Sequence, residues 1–205
     1  MIRSISSPVT DQEHNPLWDD ETAEWYAEAY GDHFSTTLAV ELAQLQPDDV
    51  VLDIGCGSGN SCRAAAAVVT GGSVIGIDPT PAMIRIAKEK SKNCPYRNRI
   101  QFREGSAEAV PLENCSVTTA MAINALHHWD DINAGLNEVK RVLLPEGRFF
   151  IADELKKDGT THGDRLLADP AQIEYLLEKT GFSSVSRSDH MHGVEGMCFY
   201  SAVRP

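Results

Sequence analysis

Apolar residues in this chain come in short unbroken runs, and the stretches between them repeat every three to four positions, so strands should alternate with amphipathic helices. VVLDI (50–54) is continuously apolar, as a strand buried on both faces should be, and SVIGID (73–78) repeats the pattern. IQFREG (100–105), SVTTAMAIN (116–124) and GRFFIAD (147–153) predict three further strands. Between them the period lengthens. A helix is predicted over about 60 to 70, and another starts with Thr80 as its cap and Pro81 at its first position. DINAGLNEVKRVLL (131–144) sets Ile132, Leu136, Val139 and Leu143 on one stripe. A last helix opens at Asp169 and Pro170, carries Ile173, Leu176 and Leu177, and stops at Gly181.

Upstream of the first strand, ETAEWYAEAY (21–30) and TTLAVELAQL (36–45) read as helices, a cap over about 20 to 46. Tyr26 and Tyr30 fall four apart on one face, with Phe34 four further on. Residues 1–17 are polar and Pro-punctuated, which suggests a flexible arm. Near the C-terminus, SSVSRSDH (183–190) and MCFYSAVR (197–204) flank a turn around Gly193 and Gly196, and a direct hairpin there makes the pair antiparallel. Alternating strands and helices define the α/β class, with a mostly parallel sheet of seven strands. At 205 residues the chain needs one domain, taken as 18–205.

The most informative stretch is VLDIGCGSGN (51–60), where the first strand runs into Gly55, Gly57 and Gly59 with Asp53 just before them. Bare backbone there presents N–H groups to a closely approaching ligand. The dinucleotide fingerprint wants its third glycine at position 60, which is Asn. Asp78 ends the second strand, 19 residues past Gly59, where a carboxylate can take both hydroxyls of a ribose. An adenosine is implied, and Asp53 suits a ligand bearing an ammonium group better than a pyrophosphate. Charge narrows the partners: 30 acidic against 18 basic residues, net −12, disfavour nucleic acid. No run approaches a membrane span, and five scattered cysteines without a CxxC pair argue against disulfides and zinc. A cytoplasmic location without membrane contact or bound metal is the expectation.

These residues resemble the class I S-adenosylmethionine-dependent methyltransferases, in particular the small-molecule branch similar to the ubiquinone and menaquinone methyltransferases. The likeness covers roughly residues 26 to 203 and shows in VLDIGCGSG, GIDPTPAMI, GSAEAVPL, NALHHW and NEVKRVLLPEGRFFIAD. It implies a Rossmann-like doubly wound sheet of seven strands, one antiparallel near the C-terminus. It also implies S-adenosyl-L-methionine as cofactor, S-adenosyl-L-homocysteine as product, and methyl transfer to an oxygen, nitrogen or carbon of a small organic acceptor. Asp53 would hold the cofactor's amino group, and Ile54, Gly55, Cys56, Gly57, Ser58 and Gly59 would pass under its methionine part. Asp78 would take the ribose, with Pro79 and Met83 near the adenine. Ser106, Ala107 and Glu108 would lie at the adenine edge, Asn124, Ala125 and Leu126 beneath the methyl group, and Tyr30, with Tyr26 second, would close over the cofactor.

Three departures stand out. Ser106 replaces an Asp common beside the adenine, Thr118 replaces an Asp in the fourth strand, and Glu146 replaces a Gly in a proline-glycine-glycine turn; the last two read as drift. An activated sulfonium asks mainly for alignment, so a base matters only for a protonated acceptor. His127, just beyond the fourth strand, is the candidate base, although packing is the commoner use of such a pair with His128. Removing Asp78 is expected to weaken cofactor binding with little effect on stability. Two other readings remain at this point: a noncatalytic cofactor-binding or assembly module, and a nicotinamide-dependent oxidoreductase. The stretch KKDGTTHGDR reads as a solvated loop, too short for a long lid, which leaves a pocket that is open, lidded by the N-terminal helix, or completed by a second subunit of a homo-oligomer.

Overall fold

The computed structural model describes residues 18–31, 33–155, 170–193 and 195–205. The arm at 1–17, the loop KKDGTTHGDR and the Asp169 cap lie outside the described residues. Two short helices, α1 (Asp20–Ala29) and α2 (Phe34–Leu42), precede the sheet. Then come β1 (Val50–Ile54), α3 (Asn60–Val68), β2 (Ser73–Asp78), α4 (Pro81–Ser91), β3 (Ile100–Glu104) and β4 (Val117–Ile123). They are followed by α5 (Ile132–Val142), β5 (Leu143–Leu155), α6 (Pro170–Thr180), β6 (Ser183–His192) and β7 (Glu195–Val203).

The seven strands form one sheet in the order β3-β2-β1-β4-β5-β7-β6. Strands β1 to β5 pair in parallel, and β7 lies antiparallel between β5 and β6, so it is the one reversed strand. The order reverses between β1 and β4, which opens a crevice at their carboxyl ends. One face of the sheet packs Leu52, Ile54, Ile75 and Ile77 against Leu136 and Val139 of α5 and Ile173 and Leu177 of α6. The other packs Val51, Val74 and Met121 against Ala39 and Val40 of α2 and Ala65 and Ala66 of α3. A small third cluster joins Ala23 of α1 to Ala82 and Met83 of α4, with Trp18 and Tyr26 packed on it. This contact seats the N-terminal helix over the crevice.

Four local expectations are corrected. Helix α3 ends at Val68, because Val69 leaves the helical region at ψ 86°. Helix α5 stops at Val142, and Leu143 is already paired with Val117 in the sheet. The register then jumps to Thr119 opposite Arg148, and the extra residues are taken up around Pro145, with Glu146 at φ +63°. Glu146 therefore occupies a backbone conformation that glycine adopts without strain. Thr80 stands at the N-cap of α4, but its side chain makes no cap hydrogen bond; it turns to Asp78 instead. Thr118 is a junction rather than drift. Its hydroxyl donates to Asp49 Oδ1 at 2.7 Å and accepts from the Val50 N–H at 2.9 Å, while Arg148 grips Asp49 Oδ2 at 2.6 Å. That network ties β1, β4 and β5 together at the end opposite the crevice.

Candidate cofactor and acceptor site

The glycine loop is drawn over the end of β2 by one carbonyl. Ile77 O accepts from both Gly55 N–H and Cys56 N–H at 2.9 Å, and Gly55, Gly57 and Gly59 all have positive φ. The three glycines serve different ends. A Cβ on Gly55 would lie 2.6 Å from the Ala125 methyl, and one on Gly59 2.7 Å from the Phe102 ring, so both are packing requirements. A Cβ on Gly57 would meet nothing within 4 Å. Gly57 thus borders open space, and its N–H donates to Asp78 Oδ2 at 3.0 Å. Ile54 and Cys56 turn their side chains into the two cores, and Ser58 is buried as well, leaving only their backbone for a ligand.

Both expected carboxylates are buried. Asp78 accepts from Gly57 N–H through Oδ2, from Thr80 N–H at 2.9 Å through Oδ1, and from the Thr80 side chain as well, and the carboxylate keeps acceptor capacity beyond these three. Desolvation raises its pKa against the pull of those backbone bonds. Asp53, only 1 % exposed, accepts from the Ser61 hydroxyl and, at 3.2 Å, from the Cys62 thiol, both on Oδ2. Its Oδ1 has no partner. Burial, reinforced by the charge of Asp78, pushes the Asp53 pKa up to about 6 despite the two donors. The protein therefore holds a costly carboxylate on the strand that runs into the glycine loop, and an ammonium group would relieve that cost.

The two tyrosines expected to close over the site differ in exposure. Tyr30 is 46 % exposed, whereas Tyr26 is enclosed between Trp18 (ring centroids 4.5 Å apart) and Tyr30 (4.9 Å). Desolvation, then the charges of Glu154, Asp153 and Asp78, push the Tyr26 pKa up to about 12. Tyr26 thus lies within electrostatic reach of both strand ends, and Tyr30 covers it from outside. Lys90 of α4 donates to Ala27 O at 2.9 Å and pins α1 in place. Met83 is buried under that helix, and Pro79 is exposed at the rim.

Across the crevice, Ser106 forms a short bridge with Ala109, Ala107 is buried, and Glu108 Oε1 accepts from Asp131 N–H at 3.2 Å. Glu108 is thereby tied to the start of α5. Ala125 abuts Gly55, and Leu126 turns into the core beside α5 and α6, so it offers backbone alone. Asn124 sits at φ +51° with its N–H on Ala152 O at 2.8 Å.

His127 pairs with a residue that sequence reasoning had placed only as the end of a strand. Its Nδ1 lies 3.0 Å from Oδ2 of the buried Asp153, whose Oδ1 accepts from Glu154 N–H. A carboxylate on Nδ1 selects the tautomer with the proton there and leaves Nε2 basic. His128 lies beside it, the two rings tilted with centroids 4.0 Å apart, and stands edge-on to Trp18 at 5.8 Å. Partial burial, then the neighbouring His127, lower the His128 pKa, although part of that ring reaches solvent. Ser35 of α2, buried and bonded to Asn124 at 2.8 Å, was likewise missed. A small polar residue in a helical run gives no sign of what lies across from it. Among the described residues no group of His, Cys, Asp or Glu could hold a metal ion, and no helix is long and apolar enough to cross a membrane.

Residues 52–151 match the methyltransferase domain family. An uncharacterised methyltransferase of Bacillus subtilis is 32 % identical over 57 % of the chain and 45 % of its own length. The O-methyltransferase cnsE of Penicillium expansum is 27 % identical over 90 % of the chain and 70 % of its own length. The chain thus spans about half of one of these relatives and under three quarters of the other. A crystal structure of an S-adenosylmethionine-dependent methyltransferase from Aquifex aeolicus superposes with a TM-score of 0.70, at 19 % identity, over 92 % of the chain and all of that protein.

Proposed function

We propose that the chain is a class I S-adenosylmethionine-dependent methyltransferase, as its match to the methyltransferase domain supports, and that it methylates a hydroxyl oxygen of a small organic acceptor, with His127 as the base. The observation that carries this reading is the His127–Asp153 pair at the carboxyl end of the sheet. A base so oriented is of use for an acceptor that starts with a proton, and the relatedness to an O-methyltransferase agrees with it.

The residues fit the cofactor. Asp53, with its unpartnered Oδ1, would take the ammonium group; the space beside Gly57 would admit the methionine part; the spare lone pairs of Asp78 would take the ribose hydroxyls. Pro79, Met83, Ser106, Ala107 and Glu108 would border the adenine. Tyr26, under Tyr30, would close the crevice and exclude water. When bound, the cofactor supplies a methyl group already activated for displacement. The chain's part is to align the acceptor and take its proton. His127 Nε2 receives the proton from the hydroxyl, and Asp153 stabilises the imidazolium that results. We assign residues 18–205 to one methyltransferase domain with a helical cap over about 20–46. Reduced, free cysteines suit a cytoplasmic setting.

The test is transfer of tritium from methyl-labelled S-adenosylmethionine, with S-adenosylhomocysteine binding measured in parallel. His127→Ala should lower kcat about 100-fold, within the usual range for a general base, and leave S-adenosylhomocysteine affinity unchanged. Asp153→Asn should lower kcat and shift the acidic limb of the pH profile, where the base is lost to protonation. An unaltered rate in His127→Ala would remove the base assignment, and failure of the wild type to bind S-adenosylhomocysteine would remove the cofactor.

A further inference from the structure

Asn124 stands where the family resemblance places a residue beneath the methyl group. It follows β4 in a left-handed backbone, locked by its own N–H on Ala152 O, between Ala125 against the glycine loop and the His127–Asp153 pair. Residues held in such a conformation persist where their surroundings over-determine them, often at functional sites.

The direction of its amide follows from its partners. His33 caps α2 with Nδ1 accepting from Ser35 N–H at 3.4 Å, and the Ser35 hydroxyl lies 2.8 Å from that same Nδ1. On its other side Ser35 Oγ accepts from Asn124 Nδ2 at 2.8 Å. The chain of bonds runs one way, from Asn124 through Ser35 to His33. Asn124 Oδ1 consequently faces away from Ser35, buried and without a partner. An unmade hydrogen bond of that kind is a standing cost, which an incoming donor would remove.

We propose that Asn124 Oδ1 positions the methyl acceptor by accepting a hydrogen bond from a second O–H beside the hydroxyl that is methylated. The acceptor is then a neutral compound with two adjacent hydroxyls, such as an ortho-dihydroxy arene. This rests on the methyltransferase reading above. His127 takes the proton of one oxygen and Asn124 receives the hydrogen of the other. The two groups stand three residues apart in the chain at one strand end, so an acceptor with polar hydrogens on neighbouring oxygens is the one that serves both. Neutrality suits the carboxylates at this strand end, Asp153 at 3.0 Å from His127 and Glu154 at 3.6 Å from His33, which repel an anion.

The probes are two matched pairs, catechol with phenol and 1,2-dihydroxynaphthalene with 2-naphthol, assayed by tritium transfer alongside calorimetry with S-adenosylhomocysteine. The wild type should favour each dihydroxy compound at least tenfold in kcat/KM. Asn124→Gly keeps the left-handed backbone without strain; it should bring that ratio close to one while S-adenosylhomocysteine affinity stays within twofold. Ser35→Ala, which frees the amide to turn, should raise the KM for the dihydroxy compounds more than it lowers kcat, and it answers the question if the glycine variant does not fold. An unchanged ratio in both variants, a loss of S-adenosylhomocysteine binding in Asn124→Gly, or no transfer to any of the four compounds by a wild type that binds S-adenosylhomocysteine would overturn the proposal. A wild type that binds no S-adenosylhomocysteine would overturn the methyltransferase reading itself.

Discussion

Asp78 shows how a ligand-binding side chain can also be structural. The sequence places it at the end of a strand, 19 residues beyond the last loop glycine, and that spacing suffices to nominate it for a ribose. What the spacing cannot show is that the same carboxylate already holds two backbone amides, Gly57 and Thr80. The expectation of unchanged stability on its removal is therefore revised. Asp78→Ala should weaken S-adenosylhomocysteine binding at least tenfold and also lower the melting temperature of the ligand-free protein by several degrees. Each stranded amide costs about 1 kcal/mol or more, and in a chain of this size that is roughly 2–4 °C. Calorimetry and a thermal melt on the same preparation check both; a mutant with normal melting would show that water replaces the carboxylate at no cost. Tyr26 and Tyr30 mark the limit of residue-level reading. Four-residue spacing puts both on one face, but only the docking of α1 on α4 decides which is enclosed.

At the scale of elements, the strands were legible because their runs are short, apolar and bounded by glycine, proline or charge. VVLDI and SVIGID coincide with β1 and β2 at both ends. The passage from α5 to β5 was less so. Leu143 continues the helical stripe of Ile132, Leu136 and Val139, yet its pairing with Val117 takes it into the sheet. A periodic pattern identifies a buried face and leaves open which element provides it. The same passage contains the one non-glycine departure with an energetic reading, Glu146 at φ +63°. A left-handed L-residue costs about 1–2 kcal/mol, of which glycine's greater unfolded-chain entropy returns part. Glu146→Gly should therefore stabilise the protein by about 0.5–1 kcal/mol in urea unfolding, with methyl transfer unaffected, since the turn lies at the end of the sheet away from the crevice. A destabilised variant would mean that the Glu146 side chain contributes more than its backbone costs.

For the whole molecule, the buried acids and the net charge of −12 act in the same direction with pH. Asp53 has its pKa raised from 3.8 to about 6 by burial, and Asp78 is raised as well. A carboxyl with a higher pKa folded than unfolded binds its proton more tightly when folded. Its contribution to stability is full below the unfolded value near 4 and is lost as the pH climbs through about 6. For Asp53 the loss is on the order of 3 kcal/mol, and self-repulsion of an acidic surface adds to it above neutrality. The ligand-free protein should thus melt several degrees higher at pH 5.5 than at pH 8. Asp53→Asn removes the buried charge while keeping an oxygen for Ser61, so it should raise the melting temperature at pH 8, with a gain that shrinks toward pH 5. With saturating S-adenosylhomocysteine the order should invert, because the wild-type carboxylate then meets an ammonium group and the amide does not. Scanning calorimetry of both proteins at the two pH values, with and without S-adenosylhomocysteine, separates these effects. A mutant that is less stable than the wild type at pH 8 without ligand would mean that the ionised carboxylate is satisfied in the free protein, and the trade of stability for cofactor affinity at Asp53 would have to be given up.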